Sequence, residues 1–327
     1  MAKYFAKRLM YMVIMMIAIT IMSFFIMELP PGDYLTTYIS NLESKGELVD
    51  ADEINRLKMV YGYDQPLVIR FFKWVSGFPR GDFGYSLSKG KPVLEAVAPC
   101  FKVSLLIAVI VFFTTTAIQL YMGYESALHK NKAIDYIFST LGVLGRSIPA
   151  FVLALLALLL VFKITGGKSY AGLYSREFVN APMSWDKFVD GFKHLLLPIC
   201  VVTFSQMSFK GVRANMLDEI NRPYVTTARA KGMKETKLLI KYPFRMSIIP
   251  NMGAIGLAIP GLISGETIAG IVLNLPTMGP LMLSALKAQD MYLAGAILLF
   301  QSAMTLVGVL ISDLALAAID PRVRLDG

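Results

Sequence analysis

The chain has 327 residues, 55% of them hydrophobic and 17% charged, with a formal net charge of +9. Disorder is excluded because disordered segments are poor in hydrophobic residues, and a soluble globular domain carries about 25% charged residues. The apolar excess is gathered in long blocks suited to lipid, so the positive charge matches anionic headgroups rather than nucleic acid.

A helix crosses the hydrocarbon core with about 20 apolar residues, and charge-free stretches mark six such spans. The first, residues 9–27, follows Lys3, Lys7 and Arg8. It runs into Glu28, Leu29, Pro30 and Pro31 without the small-residue cleavage site of a signal peptide, and reads as an anchor. Residues 30–99 form an extracytoplasmic helical insert. There Ile54, Leu57, Val60 and Tyr61 follow helical spacing up to Gly62. Asp64 then caps a second helix with Pro66 in its first turn, burying Leu67, Val68, Phe71, Phe72 and Val75. Residues 103–124 make the second span, and 136–162, interrupted only by Arg146, the third. The fourth, 195–209, is short and borrows the stem of Lys210 by snorkelling. Residues 246–265 and 291–312 complete the set.

The expected fold is an all-α membrane protein with six transmembrane helices. It divides into a tail and first span (1–29), the insert (30–99) and a core of five spans (100–327). Lys and Arg density sets the orientation. With the N-terminus inside, segments 1–8, 123–135, 210–247 and 319–327 hold 16 basic residues in 68 positions. Segments 30–99, 163–193 and 273–291 hold 14 in 120. Both termini are therefore expected in the cytoplasm.

The inward loop at 214–245 is too polar for lipid and too long for a simple turn. Pro223 suits a helix start, Tyr224 to Lys231 supply small and basic residues, and Gly232 ends the helix. A second helix over 234–242 carries Leu238, Leu239 and Tyr242 before Pro243 interrupts the chain. Thr227, Ala228 and Ala230 keep the first helix thin, and seven basic residues stand against Glu235 between 222 and 245. Two readings stay open at this point: a docking element for another protein, or a polybasic loop facing lipid.

No phosphate-binding GxxxxGK[ST], HExxH or GxSxG motif occurs. Cys100 and Cys200 stand a hundred residues apart and read as small buried hydrophobes, and His129 and His194 are isolated, so no metal site is expected. Ionisable residues in or near spans are the remaining candidates. Arg146 reads as a headgroup contact, and Asp313 as a residue positioning the tail. Glu266 lies beside Gly261 and Gly265, which permit close helix approach; it either lines a pathway or pairs internally.

These residues resemble the inner-membrane permease subunits of binding-protein-dependent ABC importers, in the dipeptide/oligopeptide branch. Leu29 to Asp33 is similar to the family's "LPGDP", Tyr61 to Leu67 to "LGLDQPL", and Gly81 to Ser86 to "GDLGxS". Tyr224 to Gly232 resembles "YVRTARAKG", the branch's coupling motif, and Asp313 with Ile319 to Arg324 resembles the closing "ND…LDPRIR". The resemblance implies a chain in a prokaryotic inner or plasma membrane that is not itself an enzyme and binds no cofactor. ATP and Mg²⁺ would sit on two ATP-binding partner subunits, which receive the helix bearing Tyr224, Thr227, Ala228, Arg229, Ala230, Lys231 and Gly232. A second homologous permease would complete a peptide pathway, fed by an extracytoplasmic solute-binding protein. Oligosaccharide and nickel importers use similar permeases. A stand-alone ion-coupled carrier is the alternative of a different class, and an intramembrane enzyme lacks its catalytic pairs.

Overall fold

The computed structural model describes residues 2–28, 39, 44 and 65–319. The expected helix at 54–62, its neighbour Asp64, and the motif residues 29–33, 61–64 and 320–324 lie outside the described residues. In chain order the helices are α1 (Ala2–Glu28), α2 (Leu67–Gly77), α3 (Val93–Leu128), α4 (Ala133–Ser147), α5 (Ala150–Ile164) and α6 (Trp185–Ser205). There follow α7 (Lys210–Ile220), α8 (Pro223–Ala230), α9 (Glu235–Leu239), α10 (Arg245–Val272), α11 (Met278–Lys287) and α12 (Met291–Ile319). Among the described residues the β structure is a short antiparallel pair, β1 (Tyr85–Ser86) against β2 (Lys91–Pro92).

Four of the described helices are long and apolar enough to cross a membrane, over Lys3–Phe25, Val93–Leu128, Trp185–Ser205 and Met291–Leu314. The expected third span is not one helix. Proline forces the preceding residue out of helical geometry; Ile148 is extended (φ −89°, ψ 124°) before Pro149. Helices α4 and α5 consequently form a pair bent by 108°, long and apolar enough to cross a membrane when taken together.

The fourth span is displaced. It starts at Trp185 and stops at Ser205, where 195–209 was expected, because charge-free windows discard four charged residues that the fold accommodates. Ser184 Oγ caps its start by accepting from Lys187 N at 3.2 Å. Asp190 accepts from Ser175 N and Oγ at 2.7 and 2.6 Å, and Lys187 donates to the Ala181 carbonyl at 2.6 Å. His194 is buried, with Nδ1 2.8 Å from the Gly172 carbonyl and Nε2 3.2 Å from Ser175 Oγ. These bonds fasten the loop after α5 onto α6.

Pro243 also behaves differently from expectation. A prolyl nitrogen cannot supply a helix hydrogen bond, yet the chain does not break there. A π-helical turn over Ile240–Phe244 absorbs the missing bond, and helical geometry runs from α9 into α10. In α2, Trp74 is buried, whereas Val68 and Phe72, expected inside, are exposed. Cys100 is half-buried, but Cys200 is exposed rather than buried.

The chain divides into two compact units. The first comprises Met1–Met12, Leu105–Leu275 and Thr305–Gly327; the second comprises Val13–Ser104 and Pro276–Met304. In the second, Val93, Val97, Met278, Leu293 and Ile297 form a core. Buried Asp290 ties β1 to the start of α12: Oδ2 accepts from Ser86 Oγ at 2.7 Å and from Ser88 N and Oγ at 2.9 and 2.8 Å, and Oδ1 from Leu293 N at 3.2 Å. Trp74 Nε1 donates to the Phe83 carbonyl at 2.9 Å and Gly84 N to Asp82 Oδ1 at 2.9 Å, so the Gly81–Ser86 motif is a tightly bonded turn.

In the first unit, small residues set helix approach. A Cβ on Gly261 of α10 would lie 3.1 Å from Gln206 Oε1, and one on Gly265 would lie 3.2 Å from Val202 Cγ1. This is the close packing expected of those glycines. Asp313 pairs with Arg8 at 2.9 Å, joining α12 to α1 within the same unit.

Candidate functional site

Helix α8 occupies the span that its sequence foretold. Arg222 is extended (φ −68°, ψ 146°), as the residue before proline must be, and Pro223 takes the first helical position. At the other end Gly232 adopts φ +77°. Its N–H donates to the Arg229 carbonyl at 3.0 Å, and Met233 N to the Ala228 carbonyl at 3.4 Å, the paired bonds of a Schellman stop. No atom lies within 4 Å of the position a Gly232 Cβ would take. Conformation alone is therefore at stake: Gly232→Ala is expected to cost about 1 kcal/mol, and Gly232→Asn less, read as the apparent Tm of the detergent-solubilised chain.

Two faces of α8 have different roles. Val225 and Ala228, three residues apart, are buried with Ala127 of α3, Met216 of α7, and Leu238 and Leu239 of α9. Ala228 is thus small because the chain's own core is close, and a Trp there would disrupt this cluster before it met any partner. Tyr224, Thr227, Arg229, Ala230, Lys231 and Gly232 are exposed. Tyr224, Thr227, Lys231, Gly232, Lys237 and Tyr242 rim an open depression of about 710 Å³.

Ionic contacts hold this element in place. Arg229 binds Glu235 through two bonds, Nε to Oε2 at 3.0 Å and Nη2 to Oε1 at 2.6 Å, fixing α8 to α9. The guanidinium holds the Glu235 carboxyl below its usual range. Both groups are exposed, so solvent screens the pair and it adds little to stability. Its larger consequence is to neutralise Arg229, leaving Lys231, Lys234 and Lys237 as the cations around the depression. The Tyr224 hydroxyl donates to the Glu219 carboxylate of α7, and burial together with that carboxylate pushes the phenol up to about 12.

Sequence reading missed the strongest anchor. Asp135, at the start of α4 and buried, accepts from Arg213 Nε and Nη2 of α7 at 2.8 and 2.6 Å. It also accepts from Asn131 N at 2.9 Å and from the Ser126 hydroxyl. A single network thereby joins the α3–α4 turn to the helix that leads into α8. The available signal was a lone aspartate just after Lys130 and Lys132, with no spacing rule linking it to residue 213.

The other candidates lie apart from α8 in the sequence and differ in setting. Arg146 is exposed on the last turn of α4 and donates through Nη1 to Ser208 Oγ at 2.9 Å, beside Lys210 at a cavity of about 200 Å³. Glu266 is only 2% exposed, so it faces the interior of the chain. No cluster of three or more His, Cys, Asp or Glu able to hold a metal occurs among the described residues.

Residues 118–325 match the model of the binding-protein-dependent transport system inner membrane component, and residues 1–117 match the N-terminal model of the same transport-system membrane components. The chain is 30% identical over 327 residues to the oligopeptide transport system permease protein AppB of Bacillus subtilis, covering 99% of this chain and 100% of that one. It is also 30% identical over 329 residues to the dipeptide transport system permease protein DppB of Lactococcus lactis, covering 99% and 100%.

Proposed function

Since the chain belongs to the binding-protein-dependent transport system inner membrane components, we propose that it is the permease subunit of a peptide-importing ABC transporter in a prokaryotic cell membrane. In this reading it crosses the membrane six times with both termini in the cytoplasm, the bent α4–α5 pair and α10 supplying the third and fifth spans. It forms the pathway with a second homologous permease and receives peptides from an extracytoplasmic binding protein. Of two ATP-binding subunits that hold the ATP and Mg²⁺, one accepts α8 in a surface groove and the other accepts the corresponding helix of the second permease.

The observation that carries this reading is the mounting of α8: its inner face is packed into the bundle while its outer face is exposed. A helix clamped on one side moves with its supports when pushed on the other. Helical geometry continues from α9 through the π turn into α10, so a displacement of α8 passes to a membrane segment as a rigid-body movement. The peptide assignment rests on full-length similarity to AppB and DppB.

The test is ATP hydrolysis by the assembled complex with its binding protein, challenged with di- and oligopeptides, oligosaccharides or Ni²⁺. Peptides alone are expected to stimulate turnover. Stimulation by a sugar or nickel replaces the substrate, and robust counterflow by the lone chain replaces the whole reading with an ion-coupled carrier.

A further inference from the structure

Helix α2 carries two apolar faces, one packed and one exposed. Leu67, Phe71, Trp74 and Val75 face the second unit, Trp74 packing with Phe24 and Leu299. At 100° per residue, Val68, Ile69 and Phe72 lie on a neighbouring face about 120° further round the helix, and they are 55%, 53% and 65% exposed. Such a stripe on a helix next to water carries a free-energy penalty proportional to the apolar surface left uncovered.

Its depth is set by its partners. Phe24 lies within the apolar span of α1 and Leu299 within that of α12, so the helix that buries Trp74 against both sits level with membrane-spanning residues. The Arg70–Glu28 ion pair fixes α2 to the final residue of α1. The exposed face is also continuous with lipid-facing surface on α1. Phe25 is exposed and stacks on Phe71 at 6.3 Å, and Phe71 meets Phe72 edge to face at 5.5 Å. Met22, one turn earlier on α1, is exposed as well. Lys73 flanks the stripe, where its stem can follow apolar surface while the ammonium reaches a phosphate.

We infer that α2 is embedded in the outer leaflet, with Val68, Ile69 and Phe72 in acyl chains and Lys73 at the headgroup phosphates. The helix thus anchors the extracytoplasmic insert to the bilayer rather than presenting it to the binding protein. The inference rests on the membrane placement of α1 but on nothing about substrate or ATPase docking.

The test is a nitroxide at Phe72→Cys in a Cys100→Ala/Cys200→Ala background, with Met22→Cys as a companion site. The assembled transporter is reconstituted in nanodiscs of phosphatidylethanolamine and phosphatidylglycerol. Oxygen is expected to relax both labels several-fold more strongly than a water-soluble nickel chelate. Nickel dominating at residue 72 but not at 22 overturns the inference by placing α2 in water, and nickel dominating at both overturns the membrane placement of α1 itself. Protection of residue 72 from both agents also overturns it, because a protein then covers the stripe.

Discussion

Arg213→Met and Asp135→Asn are each expected to lower the stability of the folded chain by about 2–3 kcal/mol, less than the cost of breaking a fully buried ion pair because the Arg213 side chain is partly exposed. Asp135 is 4% exposed and accepts four hydrogen bonds, two of them from the planar guanidinium of Arg213. Arg213→Met leaves that carboxylate buried with only Ser126 and Asn131 as donors. Arg213→Lys is expected to rescue poorly, because an ammonium cannot reproduce two parallel bonds. The double variant should cost clearly less than the sum of the singles, with a coupling of about 2–3 kcal/mol, at the upper end for contacting residues. Apparent Tm in detergent measures the loss, and peptide-stimulated ATPase activity should fall with it. Additive losses would show that the two residues act separately.

Gly145→Ala is expected to be the most damaging single methyl in the first unit. The added Cβ would lie 2.2 Å from the Phe204 carbonyl oxygen. That oxygen belongs to backbone at the end of α6 and cannot swing aside, so α4 and α6 must separate. Overpacking of this kind costs about 1–3 kcal/mol or more. Gly142 supplies the control on the same face. There the methyl would meet Phe209 Cε1 at 3.0 Å, a side-chain contact that needs to yield by only a few tenths of an ångström. The helix preference for Ala over Gly, about 1 kcal/mol, is expected to offset that smaller clash. Gly142→Ala should therefore be close to neutral in apparent Tm while Gly145→Ala loses expression or stability. Equal behaviour of the two variants would contradict the α4–α6 contact.

What was legible in the amino-acid pattern follows from the range of the forces involved. The bounds of α8 were readable because Pro223 and Gly232 act on their own backbone dihedrals. The close approach at Gly261 and Gly265 was readable because small residues four apart share a helix face. The start of α6 was not, since Asp186, Lys187, Asp190 and Lys193 look incompatible with a span until the loop after α5 folds back to satisfy some of them. Pro243 looked like a break because local rules contain no π turn to absorb it. The Asp135–Arg213 pair joins residues 78 apart in sequence, and only the packing of α4 beside α7 creates it. Trp74 was missed for a related reason: either apolar face of α2 could have been the inner one, and Phe24 and Leu299 decide between them.

The most direct measurement is disulfide trapping of α8. Thr227→Cys, exposed at the rim of the depression, is paired with single cysteines along the groove of the ATP-binding subunit in an otherwise cysteine-free complex. Rapid crosslinking at Thr227, sensitive to ATP and absent for a cysteine at buried Val225, is the expected result. A complex that hydrolyses ATP and transports peptide while residue 227 remains freely reactive to a bulky water-soluble thiol reagent, with no crosslink at any groove position, would contradict the account.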